Sequence, residues 1–414
     1  MISRNNFLQI LLLVIGAVTL VNCAPAVPCN FASAARLRRD ATTNICTGGG
    51  TPTCSSTLKP VQVMLSTDSK GNLLEFGLDP TSGVLTLMCN TGTAAPGPIV
   101  VTPNNLFVYV LDATAGNQIF GFTIAHANSG ALTAITGSPF KLTGTVTGET
   151  IAVDPMNRFV YVTDHGNSAV HVLSIAQSGA LAEVTGSPFT VSSPDGIALT
   201  ASGNIAYVPD STDGDIFIFA VDAFGGLTMN PLSNSPFIIA SVNDRPHFAL
   251  VHPQANFLFT ANAESVSSFA IDPTNAGALT QVGGSPFQTG GQQVGPLALA
   301  LDKSLAFLYV IPAGVVGNPG FQSENIIGYH VDTTGGGLTL IPNSPFTSTS
   351  TTDLIANPLL AQMYLQSSTT TGTTTTTSIQ IEALDANGNL TASGTPLTVT
   401  TTTGVGVLAI ANIQ

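Results

Sequence analysis

From residue 57 onward, short apolar runs alternate with turns rich in polar residues, glycine and proline, and the pattern repeats. Residues 149–189 read ETIAVDPMNRFVYVTDHGNSAVHVLSIAQSGALAEVTGSPF and hold four such runs, IAV, FVYV, AVHVLSIA and ALAEV. The segments DPMN, DHGN and QSG separate them. Runs this short, bounded by turn residues and rich in Val, Ile and Phe, predict strands. Four strands joined by tight turns predict one antiparallel sheet, the blade of a β-propeller. Blades are covered on both faces, so their strands need no clean alternation of polar and apolar positions.

The second strand of the unit can be followed along the chain. It recurs as VQVMLS from Val61, FVYV at 107–110 and at 159–162, IAYV at 205–208, FLFT at 257–260, FLYV at 307–310 and QMYL at 362–365. That count predicts seven blades. A Ser-Pro or Thr-Pro closes each of six units, at Ser138, Ser187, Ser235, Ser285, Ser344 and Thr395, with a period near fifty residues. Such a period signals stacked supersecondary units. The serine lacks a Gly-x-Ser-x-Gly elbow and no His-Asp pair repeats beside it, so the motif reads as punctuation between blades. Its phenylalanine is placed to pack between neighbours. The first unit begins at its second strand, and GVGVLAIANIQ at the C-terminus reads as an inner strand with nothing after it. Residues 406–411 are therefore expected to complete blade 1 beside Val61–Ser66, which removes both exposed sheet edges. The threonine tract at 368–377 reads as a loop after the second strand of blade 7.

Composition narrows the function. The chain has 414 residues, a formal net charge of -13 and only ten Lys or Arg. Beyond residue 57 the cations are Lys59, Lys70, Lys141, Arg158, Arg245 and Lys303, too scattered for a nucleic-acid face. Arg4 precedes LQILLLVIGAVTLV at residues 8–21, a pattern of export signals. Cys23 ends LVNC, which resembles a bacterial lipobox and implies lipidation of that cysteine; the alternative cleavage follows Ala26 and gives a secreted or periplasmic protein. The expected organisation is a signal peptide at 1–23, a tether at 24–56 and a propeller at 57–414. Membrane attachment is expected through the lipid alone, at the cell envelope, and the protein is expected to be a monomer. Cys29, Cys46, Cys54 and Cys89 remain as disulfide candidates, with three possible pairings.

The repeated FVYV strand followed by a polar turn resembles the YVTN-type repeats of seven-bladed propellers. DRPHFALVHPQANFLFTANAES at 244–265 is similar to the lactonase, phosphogluconolactonase-like branch. That branch carries an Arg and a His before an inner strand and a Glu after the next. The resemblance implies roles for Arg245, His247 and Glu264, with Pro246 standing between the first two.

In a propeller the loops leading into the inner strand and those following the second strand share a face. The first set offers Glu149, Asp195, Arg245, His247 and Asp353. The second offers Asp68, Lys70, Asp112, Asp164, His165, Asp210, Asp213, Asp215, Glu264 and Glu324. Acids far outnumber cations, so the face is expected to be negative. His247 or Glu264 is a candidate general base, Arg245 its electrostatic partner and His165 an assistant from another blade. Arg245 paired with Asp244 or Asp195 is the purely structural alternative. Asp210, Asp213 and Asp215 in PDSTDGD are oxygen donors that could hold a divalent cation, though no EF-hand pattern surrounds them. No cofactor is otherwise expected. A phosphorylated substrate would want more Arg and Lys than this face carries. His126, His171, His252 and His330 fall on strands or opposite-face turns, where structural roles are expected. Two functions follow: a binding module for a protein, glycan or small ligand, which the thin catalytic inventory favours, and a hydrolase of non-phosphorylated lactones.

Overall fold

The structure, a computed structural model, describes residues 60–68, 72–92, 97–112, 117–126, 130–144, 146–229, 234–239, 245–262, 265–289, 296–312, 323–371, 374–401 and 405–413. The expected signal, tether and lipidation site, with Cys29, Cys46 and Cys54, lie outside these residues, as do Glu264 and Lys70. Cys89 is on the strand Leu85–Gly92.

The strands form seven antiparallel blades in a ring. Blade 3 shows the plan: Gly148–Val153 innermost, then Phe159–Asp164, Ala169–Ile175 and Leu181–Glu183, with Phe189–Thr190 pairing back onto the third strand. In blades 6 and 7 the sheets merge, because the long strand Phe346–Ala356 pairs first with Ser323–Val331 and then with Gln362–Thr371.

The second strands are apolar on both faces because each blade is sandwiched. Val108, Tyr109 and Val110 are fully buried, as are Val160, Tyr161 and Val162. One hydrophobic cluster fills each gap between neighbours. Tyr109, Phe140, Val160 and Val162 join blades 2 and 3; Phe76, Leu87, Tyr364 and Ile379 join blades 1 and 7. The ring closes as the sequence implies. Val405–Asn412 lies beside Gln62–Asp68 with Met64 opposite Ile410, so C-terminal chain supplies the inner strand of blade 1.

The recurring serine is a structural acceptor. Its Oγ takes the backbone N–H of the third strand at Gly121, Val172, Ile218, Ser268 and Gly328, at 2.9–3.0 Å. The Ser-Pro peptide is cis in all five copies. The following phenylalanine joins an inter-blade cluster each time, as Phe140, Phe189, Phe237, Phe287 and Phe346.

One expectation is corrected. The threonine tract at 368–377 is not a loop but the end of a long hairpin, Gln362–Thr371 with Thr374–Leu384, in which Thr371 pairs with Thr374. Threonine is β-branched and favours extended backbone, so a polar tract can still be a strand.

Candidate functional site

The site grows from the ends of strands in blades 3, 4 and 5. In blade 3, a single 3-10 turn, His165–Asn167, follows the second strand. Asp164 fastens this turn. Its carboxylate accepts from Asn167 Nδ2 at 2.8 Å and from Thr147 N and Oγ1 at 3.0 and 2.9 Å. Thr147 Oγ1 in turn accepts the Gly166 N–H at 3.0 Å. His165 is thereby held on a turn bonded on both sides.

In blade 4, Asp195 precedes the inner strand. Its backbone N–H donates to Pro209 O at 3.2 Å, and its carbonyl accepts from Thr150 Oγ1 at 3.0 Å and Thr163 Oγ1 at 3.3 Å. Its carboxylate Oδ2 accepts the Ser211 N–H at 2.9 Å. Gly196 follows because a Cβ there would stand 3.0 Å from the His247 carbonyl.

In blade 5, His247 lies on the inner strand Pro246–Val251. Pro246 is opposite Asn262 and Phe248 opposite Ala261, so His247 is the extra residue of a β-bulge. Bulges re-aim a side chain out of the regular pleat. The inner strands of blades 6 and 7 carry the same irregularity at Leu297 and Thr352.

Two imidazoles thus flank one carboxylate. His165 Nδ1 is 3.1 Å from Asp195 Oδ1, and His247 Nδ1 is 3.9 Å from Asp195 Oδ2. The first contact is close but does not form a hydrogen bond. Side chains of His165 and His247 remain 37% and 31% exposed, which leaves both open to water. The His247 pKa is held below the ordinary histidine value. Burial is the largest cause, Asp195 opposes it, and the charges of His165 and Arg245 add to it. A neutral imidazole with a carboxylate 3.9 Å away is equipped to take a proton from water.

Arg245 is exposed and makes no ion pair among the described residues, so the pairing with Asp195 does not form. Its charge nevertheless reaches His247. Sequence reasoning placed Asp195 on this face as one acid among several and as a partner for Arg245, but gave it no part in the catalytic set. The signal was positional: the second-strand residues Tyr207 and Phe259 pair with Ala198 and Leu250, and Asp195 and His247 each lie three residues before those partners.

The other acidic candidates make no ion pair with His165 or His247 among the described residues, although Asp210 pairs with Pro194 right beside Asp195. Asp353 was expected on this face; it is buried, and its carboxylate accepts the N–H groups of Leu354 at 2.8 Å and Leu408 at 2.6 Å. It ties blade 7 to the closing strand. Asp210 caps its own turn by accepting from Thr212 N and Asp213 N at 2.7 and 3.0 Å. Asp215 stands opposite Asp210, and burial first, then Asp210 and Asp213, push its pKa up to about 6. No group of three or more His, Cys, Asp or Glu among the described residues is arranged to hold a metal ion.

The remaining histidines serve the scaffold. His171 is buried between Glu183 at 2.7 Å and Asp164 at 3.6 Å. His126 meets the Asn105 carbonyl, His252 caps a turn through Gln254 and Ala255, and His330 lies edge-on to Phe307.

Comparison with known proteins agrees with this architecture. The family described as "Lactonase, 7-bladed beta-propeller" matches residues 62–349. Among solved structures, a "putative 6-phosphogluconolactonase" from Bacteroides fragilis superposes with a TM-score of 0.66 at 15% identity, over 86% of this chain and 100% of that one. The periplasmic gluconolactonase of Pseudomonas aeruginosa gives 0.64 at 16% identity, over 85% and 99%. A Lactobacillus plantarum protein gives 0.62 at 19%, over 84% and 98%. At these identities the likeness is one of fold. No curated protein matches the chain.

Proposed function

Because the chain belongs to the seven-bladed β-propeller lactonase family, we propose that it hydrolyses a non-phosphorylated lactone at the face where His165, Asp195 and His247 meet. One observation carries this reading: three blades bring a carboxylate and two water-accessible imidazoles together around a bulge that turns His247 out of its strand. A face built only for docking has no need to assemble that set. The preference drawn from sequence for a binding module rested on a thin catalytic inventory, and Asp195 thickens it.

His247, neutral near pH 7, accepts a proton as water adds to the lactone carbonyl. Asp195 steadies the imidazolium that forms. The tetrahedral oxyanion lies within the field of Arg245 and of His165. Collapse breaks the ring C–O bond, and the imidazolium returns its proton to the departing alkoxide. The products are one hydroxy acid per lactone and per water consumed. Phosphate on the substrate is disfavoured, since the site residues supply a single guanidinium, opposed by the carboxylate of Asp195.

The apolar run at 8–21 and Cys23 support an exported, lipid-anchored location for this activity. Mass spectrometry of the mature N-terminus tests that part, an acylated Cys23 supporting it and a start at Val27 opposing it. For the reaction itself, acid release from a panel of neutral lactones is followed with wild type, His247→Ala and Asp195→Asn. Turnover that both substitutions reduce supports the hydrolase. A folded wild type with no turnover above background overturns it and leaves the binding module.

A further inference from the structure

The registers of the seven blades allow residues to be compared by place. One third-strand position pairs with the second-strand residue just before an aromatic, Tyr109, Tyr161, Tyr207, Phe259, Tyr309 or Tyr364 in blades 2 to 7. It holds Phe122 in blade 2, Leu173 in blade 3, Phe219 in blade 4, Phe269 in blade 5 and Tyr329 in blade 6. All five are buried in the clusters between blades. In blade 7 the same position is Glu382, opposite Met363.

The consequence is visible at the gap between blades 6 and 7. Between blades 4 and 5 this position fills the space: the Phe269 ring meets Phe237 of the turn motif edge-on at 5.3 Å. The corresponding pair between blades 6 and 7 is Glu382 and Phe346, and there a crevice of about 280 Å³ remains. Ile326, Phe346, Leu365 and Leu390 form apolar walls, with Asn343 beside them and Glu382 as the charged group in the lining. No described residue hydrogen-bonds or ion-pairs with the Glu382 carboxylate, and neither Lys nor Arg lines the crevice. Asn343 spends its amide N–H on Asn389 at 2.9 Å. Burial, uncompensated, pushes the Glu382 pKa up to about 7.

A carboxylate placed against apolar walls is unfavourable unless something returns its lost solvation. The chain's described residues return none of it. We propose that this crevice is a binding site, separate from the proposed catalytic face on blades 3 to 5, for a small organic cation: a protonated primary amine carried on an apolar body. The ammonium meets Glu382, and the body replaces the missing core side chain, with the Phe346 ring as its platform. A neutral alcohol of the same shape would leave the carboxylate unpaired, and a carboxylic acid would oppose it.

The test uses phenethylamine as probe and 2-phenylethanol as its neutral counterpart, titrated against the intact protein by calorimetry. The expected result is saturable one-site binding of the amine, weakened roughly tenfold or more by Glu382→Gln, with the alcohol binding far more weakly. Glu382→Leu, which restores the residue type of the other blades, is expected to abolish amine binding and raise Tm. The proposal is overturned if amine and alcohol bind alike, if Glu382→Gln binds the amine as wild type does, or if no saturable binding appears into the millimolar range. Lactone turnover does not enter these readouts, so this proposal and the hydrolase reading stand or fall apart.

Discussion

Tyr364 donates from its hydroxyl to the Gly83 carbonyl at 3.0 Å, across the seam where the last blade meets the first. The same bond links blade 2 to 3 through Tyr109 and Gly179, 4 to 5 through Tyr207 and Gly277, and 6 to 7 through Tyr309 and Gly388. Blade 5 has Phe259 in that place, and Ser268 Oγ takes over, donating to Gly336 O at 2.7 Å. Tyr161 breaks the series: its buried hydroxyl has no partner among the described residues. Removing a hydroxyl that satisfies a buried carbonyl costs about 1–2 kcal/mol, whereas removing an orphan costs nothing. Tyr364→Phe is therefore expected to lower the unfolding free energy by that amount, and Tyr161→Phe to leave it unchanged or raise it. Denaturant melts of the two variants check this; equal losses would sink it.

The recurring serine gives a second prediction. Ser187 Oγ accepts the Val172 N–H at 3.0 Å and donates to Glu183 at 3.2 Å. Ser187→Ala strands a part-buried N–H, at a cost of about 1–3 kcal/mol in stability. Turnover per folded molecule is expected to stay at the wild-type level, because the acceptor lies inside a blade and not at the His165–Asp195–His247 site. A folded Ser187→Ala protein that loses turnover while keeping its Tm would contradict the structural role.

Much of the scaffold was legible because it repeats. The second strands are buried on both faces, so each reads as an unbroken apolar run, and the turn motif marks every boundary between Ser138 and Ser344. The threonine hairpin was hidden because low-complexity polar sequence mimics a loop, while pairing such as Thr370 with Thr375 is a property of backbone. The site was half legible. His165, Arg245 and His247 stand out as rare residue types in a chain with few charges. Asp195 does not, being one acid among many until the ring sets it between two histidines. Asp353 is withdrawn from the face because it is buried and its carboxylate is taken up by the N–H groups of Leu354 and Leu408, a long-range pairing with the closing strand that sequence does not show.

Asp195 raises the His247 pKa, while burial, His165 and Arg245 lower it, and the balance falls below the ordinary histidine value. The acid limb of kcat/KM against pH reports the free-enzyme base. Asp195→Asn removes the one raising influence, so the limb is expected to move to lower pH as the maximal rate falls about tenfold or more. His165→Ala removes a lowering influence, so its limb is expected to move to higher pH. Stopped pH-rate profiles of the three proteins decide the matter. Limbs that stay together would place the base elsewhere.

Four carboxyls share an opposite relation to water. Burial pushes Glu75 up to about 7, Asp353 to about 7, Glu382 to about 7 and Asp215 to about 6. Each folded-state value exceeds the unfolded one of 3.8 or 4.5. Between those limits the folded chain holds more protons than the unfolded chain, so stability falls as pH rises. The contribution is fully present below the unfolded values and lost on passing through the folded ones. Asp164, Glu183, Asp272, Asp332 and Asp385 are shifted down, and their contribution is lost only at still lower pH. The two sets together place the stability maximum on the acid side of neutrality. Calorimetry from pH 4 to 8 is expected to show Tm declining as pH rises from about 5 toward 8. Glu75→Gln, which keeps an acceptor for Thr91 Oγ1 at the position of Oε1, is expected to flatten part of that slope. A Tm that climbs steadily to pH 8 would mean these groups are solvated in the folded chain, and the slope's response to Glu75→Gln would say whether Glu75 is among them.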